Sequence, residues 1–189
     1  MPIRIRVAEH IKTKELRENI AGGDCQQQTL VSYYHQKDKL VFVFDCDEVS
    51  PVVFGTKDND KLYKGDIVEL MITLGASEKY LEIGVNPDNL KYAAIVANPE
   101  GTGKELSIER LEHHPIETEL VTTEGGYIAK IVIPIDWLKE LGWTREAAKI
   151  NFYRQDFTAD GELRLYAFSP TRSANFHKID SFVPMEILD

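Results

Sequence analysis

The sequence predicts an all-β fold, an antiparallel β-sandwich of the immunoglobulin-like or jelly-roll type with one short helix. Three observations predict it. About ten short β-rich runs follow one another, separated by turn signals such as Glu124-Gly125-Gly126 and Asp160-Gly161. No strand–helix–strand rhythm appears, which disfavours a parallel sheet. The stretch Lys61–Pro87 then holds two alternating runs that fit together as one hairpin. With Gly75–Glu78 as its loop, Leu74 falls opposite Lys79, Ile72 opposite Leu81, Leu70 opposite Ile83, and Val68 opposite Val85. That face is apolar, so it belongs to the core. The other face pairs Thr73 with Tyr80, Met71 with Glu82, Glu69 with Gly84, and Ile67 with Asn86.

The remaining elements follow in order. Ile3, Ile5 and Val7 alternate with Arg4 and Arg6 as a short edge strand, and the polar stretch Lys12–Asn19 is expected to form a helical turn ended by Gly22-Gly23. Gln26–His35 and Leu40–Cys46 read as a hairpin running out into the acidic Asp45-Cys46-Asp47-Glu48. An irregular segment from Ser50 to Gly65 leads into the central hairpin. Leu90–Ala97, Leu106–Leu111, Glu117–Thr123 and Tyr127–Ile133 are further strands. Pro134 stops the last of these and opens the helix Ile135–Leu141, with Gly142 as its C-terminal cap. Lys149–Gln155, Leu163–Phe168 and Phe182–Leu188 complete the strand set.

Composition bounds the function. The 189 residues suit a single domain, with residues 1–25 as an N-terminal arm packed on it. A net charge of −9 argues against nucleic-acid and anionic-membrane partners, both of which require clustered Lys and Arg. No apolar run approaches the roughly 18 residues of a spanning helix, and Met1–Arg6 lacks a signal-peptide core, so a cytoplasmic location is expected unless a leader was removed. Cys25 and Cys46 fit no zinc or redox spacing; free thiols are expected, with a single disulfide as the alternative.

Chemistry concentrates on the polar face of the central hairpin. Glu69 stands there among apolar neighbours, and an unpaired buried carboxylate costs several kcal/mol, so it needs a ligand hydroxyl, an Arg or a metal, or simply a salt bridge to a nearby cation. Glu69 and Glu82 share this face and form a conceivable glycosidase pair. Gly101-Thr102-Gly103-Lys104 lacks the spacing of a phosphate loop and reads as a turn. Asp58-Asn59-Asp60 is no EF-hand, yet Asp58 and Asp60 together with Asp45, Asp47 and Glu48 could supply oxygen ligands to a structural calcium, the plain alternative being a solvated acidic loop. Tyr63 and Phe176 sit in polar, irregular segments where no core claims them; such aromatics stack on sugar rings, or else anchor loops. No Gly-x-Ser-x-Gly, His-Glu-x-x-His or Cys-x-x-Cys sequence occurs.

The order of motifs is also informative. Tyr63 with Asp66-Ile67-Val68-Glu69-Leu70 precedes Tyr80-Leu81-Glu82-Ile83-Gly84-Val85-Asn86-Pro87; Gly126–Pro134, Ile150-Asn151-Phe152-Tyr153-Arg154, and Phe168-Ser169-Pro170-Thr171 with Phe176-His177 follow. From about residue 28 onward this series resembles the family 9 carbohydrate-binding modules and their stand-alone relatives. The resemblance implies a sandwich that binds mono- or oligosaccharides or polysaccharide chain ends without cleaving them, holds calcium, and can associate with a carbohydrate-active enzyme. It implies ligand contacts from Tyr63, Glu69, Asn86, Arg154, Asn175 and Phe176. Tyr63 stands where sugar binders carry Trp, and Phe176 has no polar edge. Two other classes compete: a haem-binding electron-transfer module with Met71 and His177 as axial ligands, and a glycoside hydrolase using Glu69 and Glu82.

Overall fold

The computed structural model describes residues 3–5, 12–75 and 78–188. Its strands, in chain order, are β1 (Ile3–Ile5), β2 (Lys12–Glu15), β3 (Arg17–Glu18), β4 (Thr29–Gln36), β5 (Lys39–Asp47), β6 (Ile67–Thr73), β7 (Lys79–Val85), β8 (Lys91–Ala97), β9 (Ser107–Arg110), β10 (Glu117–Thr122) and β11 (Gly126–Pro134). Helix α1 (Ile135–Glu140) follows, and β12 (Lys149–Phe157), β13 (Leu163–Ala167) and β14 (Val183–Ile187) close the chain. They form two packed sheets. The larger runs β1-β14-β12-β6-β7-β8-β9, with β13 also on β12 and β3 on β13; the smaller runs β10-β11-β5-β4-β2.

The central hairpin has the register read from its alternation. Val68 pairs with Val85, Glu69 with Gly84, Leu70 with Ile83, Met71 with Glu82, Ile72 with Leu81, and Thr73 with Tyr80. A one-residue slip would have moved the whole apolar row to the other face, and burial of that row forbids it. Val68, Leu70, Ile72, Leu81, Ile83 and Val85 all face the core between the sheets. Phe152 of β12 sits there with Phe42 at 5.7 Å, and with Tyr33 and Phe44 at 6.0 Å each.

The helix ends as its sequence requires. Pro134, with φ −64, precedes its first turn. Gly142 takes φ 96 and donates its N–H to Lys139 O at 2.9 Å, while Trp143 N reaches back to Leu138 O. These are the paired hydrogen bonds of a glycine-terminated helix. Among the described residues no helix is long and apolar enough to cross a membrane. Cys25 and Cys46 are free thiols.

Two expectations for the N-terminal region change. Lys12–Asn19 is not a helical turn: Lys12–Glu15 pairs with β4 and Arg17-Glu18 with β13, because open sheet edges supply backbone partners that an isolated polar turn lacks. β1 is an edge strand, but it pairs with β14 in parallel, an exception to the antiparallel scheme. Arg6 and Val7 lie outside the described residues.

The larger sheet is buried on both faces near its centre, which positions the site. On its outer side Met71, Tyr80, Ala94, Val96, Tyr153, Leu165 and Ala167 pack under Phe176 and Phe182 from the segment between β13 and β14. That segment covers one end of the outer face and leaves the other open.

Candidate functional site

Rows of paired residues cross the outer face of the larger sheet. One runs Tyr153–Glu69–Gly84–Tyr92 and its neighbour Asn151–Met71–Glu82–Ala94–Arg110. Glu69 and Glu82 are therefore diagonal neighbours pointing the same way. Above them lies a cleft of about 350 Å³ whose apolar lining includes Leu62, Ile67, Ile108, Leu163 and Leu165. Its volume lies within the roughly 300–1,000 Å³ of small-molecule sites.

Both acids form the floor. Glu69 is 4% exposed and Glu82 7%. Among the described residues neither makes a hydrogen bond or an ion pair, so the salt bridge that would have been the ordinary explanation of Glu69 is not formed. Burial, and then the charge of Glu82, hold the Glu69 carboxyl well above its usual range. Burial alone pushes Glu82 up to about 7. The open space expected beside Glu69 is partly filled: a Cβ on Gly84 would lie 2.5 Å from Ile67 Cδ1.

The remaining candidates divide. Tyr63 lines the cleft from the turn Leu62–Lys64 and is 49% exposed. Phe176 lines it too, but is 7% exposed and stacks on Tyr153 with centroids 4.3 Å apart and planes at 21°, so one ring face is already used. Asn175 lines the cleft while its side chain accepts from His177 N at 2.8 Å and donates to Gly103 O at 3.3 Å. Met71 is in the floor and His177 in the wall. The His177 Nδ1 is held by the Tyr80 hydroxyl at 2.6 Å, and burial pushes its pKa down to about 4, so the ring is neutral at pH 7.

Two expected contacts fall elsewhere. Asn86 is fully buried and its side chain closes the β7–β8 turn, accepting from Leu90 N at 2.8 Å and Asp88 N at 3.1 Å and donating to Phe54 O. Arg154 pairs with Val68, whose side chain faces the core, so it points through the sheet away from the cleft. Conversely, Gln155 and Tyr92 line the cleft. Strand parity was the available signal for Gln155, which shares a face with Tyr153.

No family model matches the sequence. A curated relative, an extracellular protein of Arthroderma benhamiae, is 26% identical over 167 residues, which is 82% of this chain and 71% of that protein. Among solved structures, a candidate carbohydrate-binding protein from Bacteroides uniformis superposes with a TM-score of 0.77 at 12% identity, over 100% of both chains. A family 9 carbohydrate-binding module from Caldicellulosiruptor kristjanssonii, bound to cellotriose, gives 0.68 at 12% identity over 99% of this chain and 93% of that one. A second structure of such a module from the same organism, bound to glucose, gives 0.64 at 13% over 98% and 95%. The chain has the same β-sandwich fold as these structures.

In this sandwich the four aspartates expected, with Glu48, to hold calcium are not gathered. Asp45 and Asp47 are exposed on β5. Asp58 caps Lys91 N at 2.9 Å and Asp60 caps Thr56 N at 2.8 Å, ordinary work for aspartates in a loop. Among the described residues, the acids that do converge are Glu48, Asp66 and Asp156, all buried, with ligand atoms within 4.8 Å of one another. Arg154 lies among them, its Nη2 2.9 Å from Glu48 Oε2 and 2.7 Å from Asp156 Oδ1. Arg164, partly exposed, adds a second cation 3.8 Å from Asp156 Oδ2, so three carboxylates against two arginines leave one negative charge formally uncompensated, and burial raises the pKa of both Glu48 and Asp66. An all-oxygen donor set with surplus charge fits a hard cation such as calcium.

Proposed function

We propose that the outer-face cleft binds a saccharide without cleaving it. The observation that carries this reading is the half-exposed ring of Tyr63 at a cleft whose floor offers the buried, unpartnered carboxyl of Glu69. An aromatic face takes the C–H surface of a pyranose, and a buried acceptor orients its hydroxyls. The glucose- and cellotriose-bound modules of the same fold support a sugar as the occupant. Noncatalytic binding is favoured because Glu69 and Glu82 lie side by side beneath any ligand. A glycosidase needs its two carboxyls to flank the scissile bond.

Isothermal titration calorimetry with glucose, cellobiose and cellotriose tests the reading. Binding that weakens by about 1–3 kcal/mol in Tyr63→Ala is expected. Aryl glycosides should stay intact, and added haem should give no Soret band. Heat from no sugar, or a Soret band formed through Met71 and His177, would replace this reading. We further infer that calcium, where bound, is structural and held by Glu48, Asp66 and Asp156. Excess chelator should then lower the melting temperature, calcium should restore it, and Asp66→Asn should abolish the difference.

A further inference from the structure

The floor of the cleft presents two carboxyls and no cation to neutralise them. Among the described residues that line it, none is Lys or Arg. His177 is neutral, as above, and Tyr80, Tyr92 and Tyr153 have their pKa values raised by burial, so none brings positive charge or gives up a proton near pH 7. Arg110 shares the Glu82 row two strands away, and its charge acts on Tyr92. Arg154 of β12 is turned into the core among its own acids.

Two neighbouring carboxyls, each more than nine-tenths buried and each unpartnered, are poorly matched to a neutral sugar. A hydroxyl can donate one hydrogen bond and brings no charge, so the buried acids stay short of ionisation, whereas an ammonium supplies three donors and the positive charge that lets both ionise. We propose that the ligand of this cleft is a saccharide bearing a free amine, a hexosamine or the end of a glucosamine oligomer, with its ammonium seated on Glu69 and Glu82 and its ring against Tyr63. This rests on the saccharide reading above and narrows its substrate class.

A consequence follows for protons. An ammonium seated on the pair lets both carboxyls ionise, so binding at pH 7 releases protons. Affinity for the amine should rise with pH up to the point where the amine itself deprotonates, while affinity for a neutral sugar should not.

The test is calorimetry of the whole chain with glucosamine, glucose, N-acetylglucosamine and ethanolamine, in two buffers of different ionisation enthalpy. Glucosamine is expected to bind about tenfold or more tightly than glucose, the difference between a charge-assisted and a neutral hydrogen bond. It should release protons, and N-acetylation should abolish the advantage. Glu82→Gln should bring the glucosamine-to-glucose ratio near unity, whatever happens to the absolute affinities. Glucose binding as tightly as glucosamine would overturn this inference and leave the saccharide reading standing. Ethanolamine binding as tightly as glucosamine, or no binding by either sugar, would overturn both.

Discussion

Glu82 keeps a proton at pH values where an exposed carboxylate has lost it, and the cost of removing that proton is carried by the fold. Its folded pKa, about 7, lies above its ordinary 4.5, so between those values the native state binds a proton that the unfolded chain has released. The sign is therefore opposite to that of a salt-bridged acid: this contribution to stability is whole below about pH 4.5 and falls as pH rises to about 7. For Glu82 the loss is on the order of 3 kcal/mol. Glu69 adds to it, since its own carboxyl is raised by burial and by Glu82. Replacing Glu82 with Gln, a near-isostere that cannot ionise, should leave urea stability near pH 4.5 unchanged and raise it by about 2–3 kcal/mol at pH 8. Carboxylates whose pKa is lowered, Glu18 and Asp60 among them, tilt both proteins alike and cancel in the difference. Parallel pH profiles for the two proteins would show that the pair is ionised and solvated in solution.

At the level of elements, legibility followed the strength of the alternation. β6 and β7 alternate without interruption and could be registered residue by residue, because burying one face leaves a single register. Glu69 was found for the same reason, as the odd residue on a patterned strand. Arg154 was misplaced although the same rule reaches it. It stands two residues from Phe152, so strand parity turns both toward the core, whereas the motif resemblance assigns Arg154 to the ligand. Gln155, of opposite parity, was the residue to choose. Asn86 shares the cleft side by alternation but lies at the strand end, where its amide serves the following turn instead. Lys12–Asn19 has no apolar period of either kind, and its strand state comes only from partners in β4 and β13 far along the chain. The segment over Phe176 was unreadable in the same way. Its shape depends on long-range ties such as Asn151 Nδ2 to Ser169 O at 2.8 Å and Asn98 Nδ2 to His177 O at 2.8 Å.

Across the whole molecule, Arg154 joins the two sheets. It belongs to β12 in the larger sheet, and its guanidinium reaches Thr29 Oγ1 and Asp47 O of the smaller one, each at 3.0 Å, as well as the carboxylates of Glu48 and Asp156. Neither a cation nor an acid in such a cluster can be removed alone, since the partner left behind is a buried charge with no water to take it. Arg154→Met keeps much of the side-chain volume, takes the guanidinium from Glu48 and Asp156, and leaves Asp156 only its 3.8 Å contact with Arg164. It should cost about 3–5 kcal/mol in urea unfolding. Calcium should recover part of that loss, because an ion on Glu48, Asp66 and Asp156 supplies the charge the arginine no longer does. Saccharide affinity should stay within about twofold of the parent, since the cluster lies on the far side of the sheet from the cleft and distant sites act independently. A stable Arg154→Met protein that no longer binds sugar would mean that the guanidinium reaches the cleft after all, and would reverse the assignment of that strand's two faces.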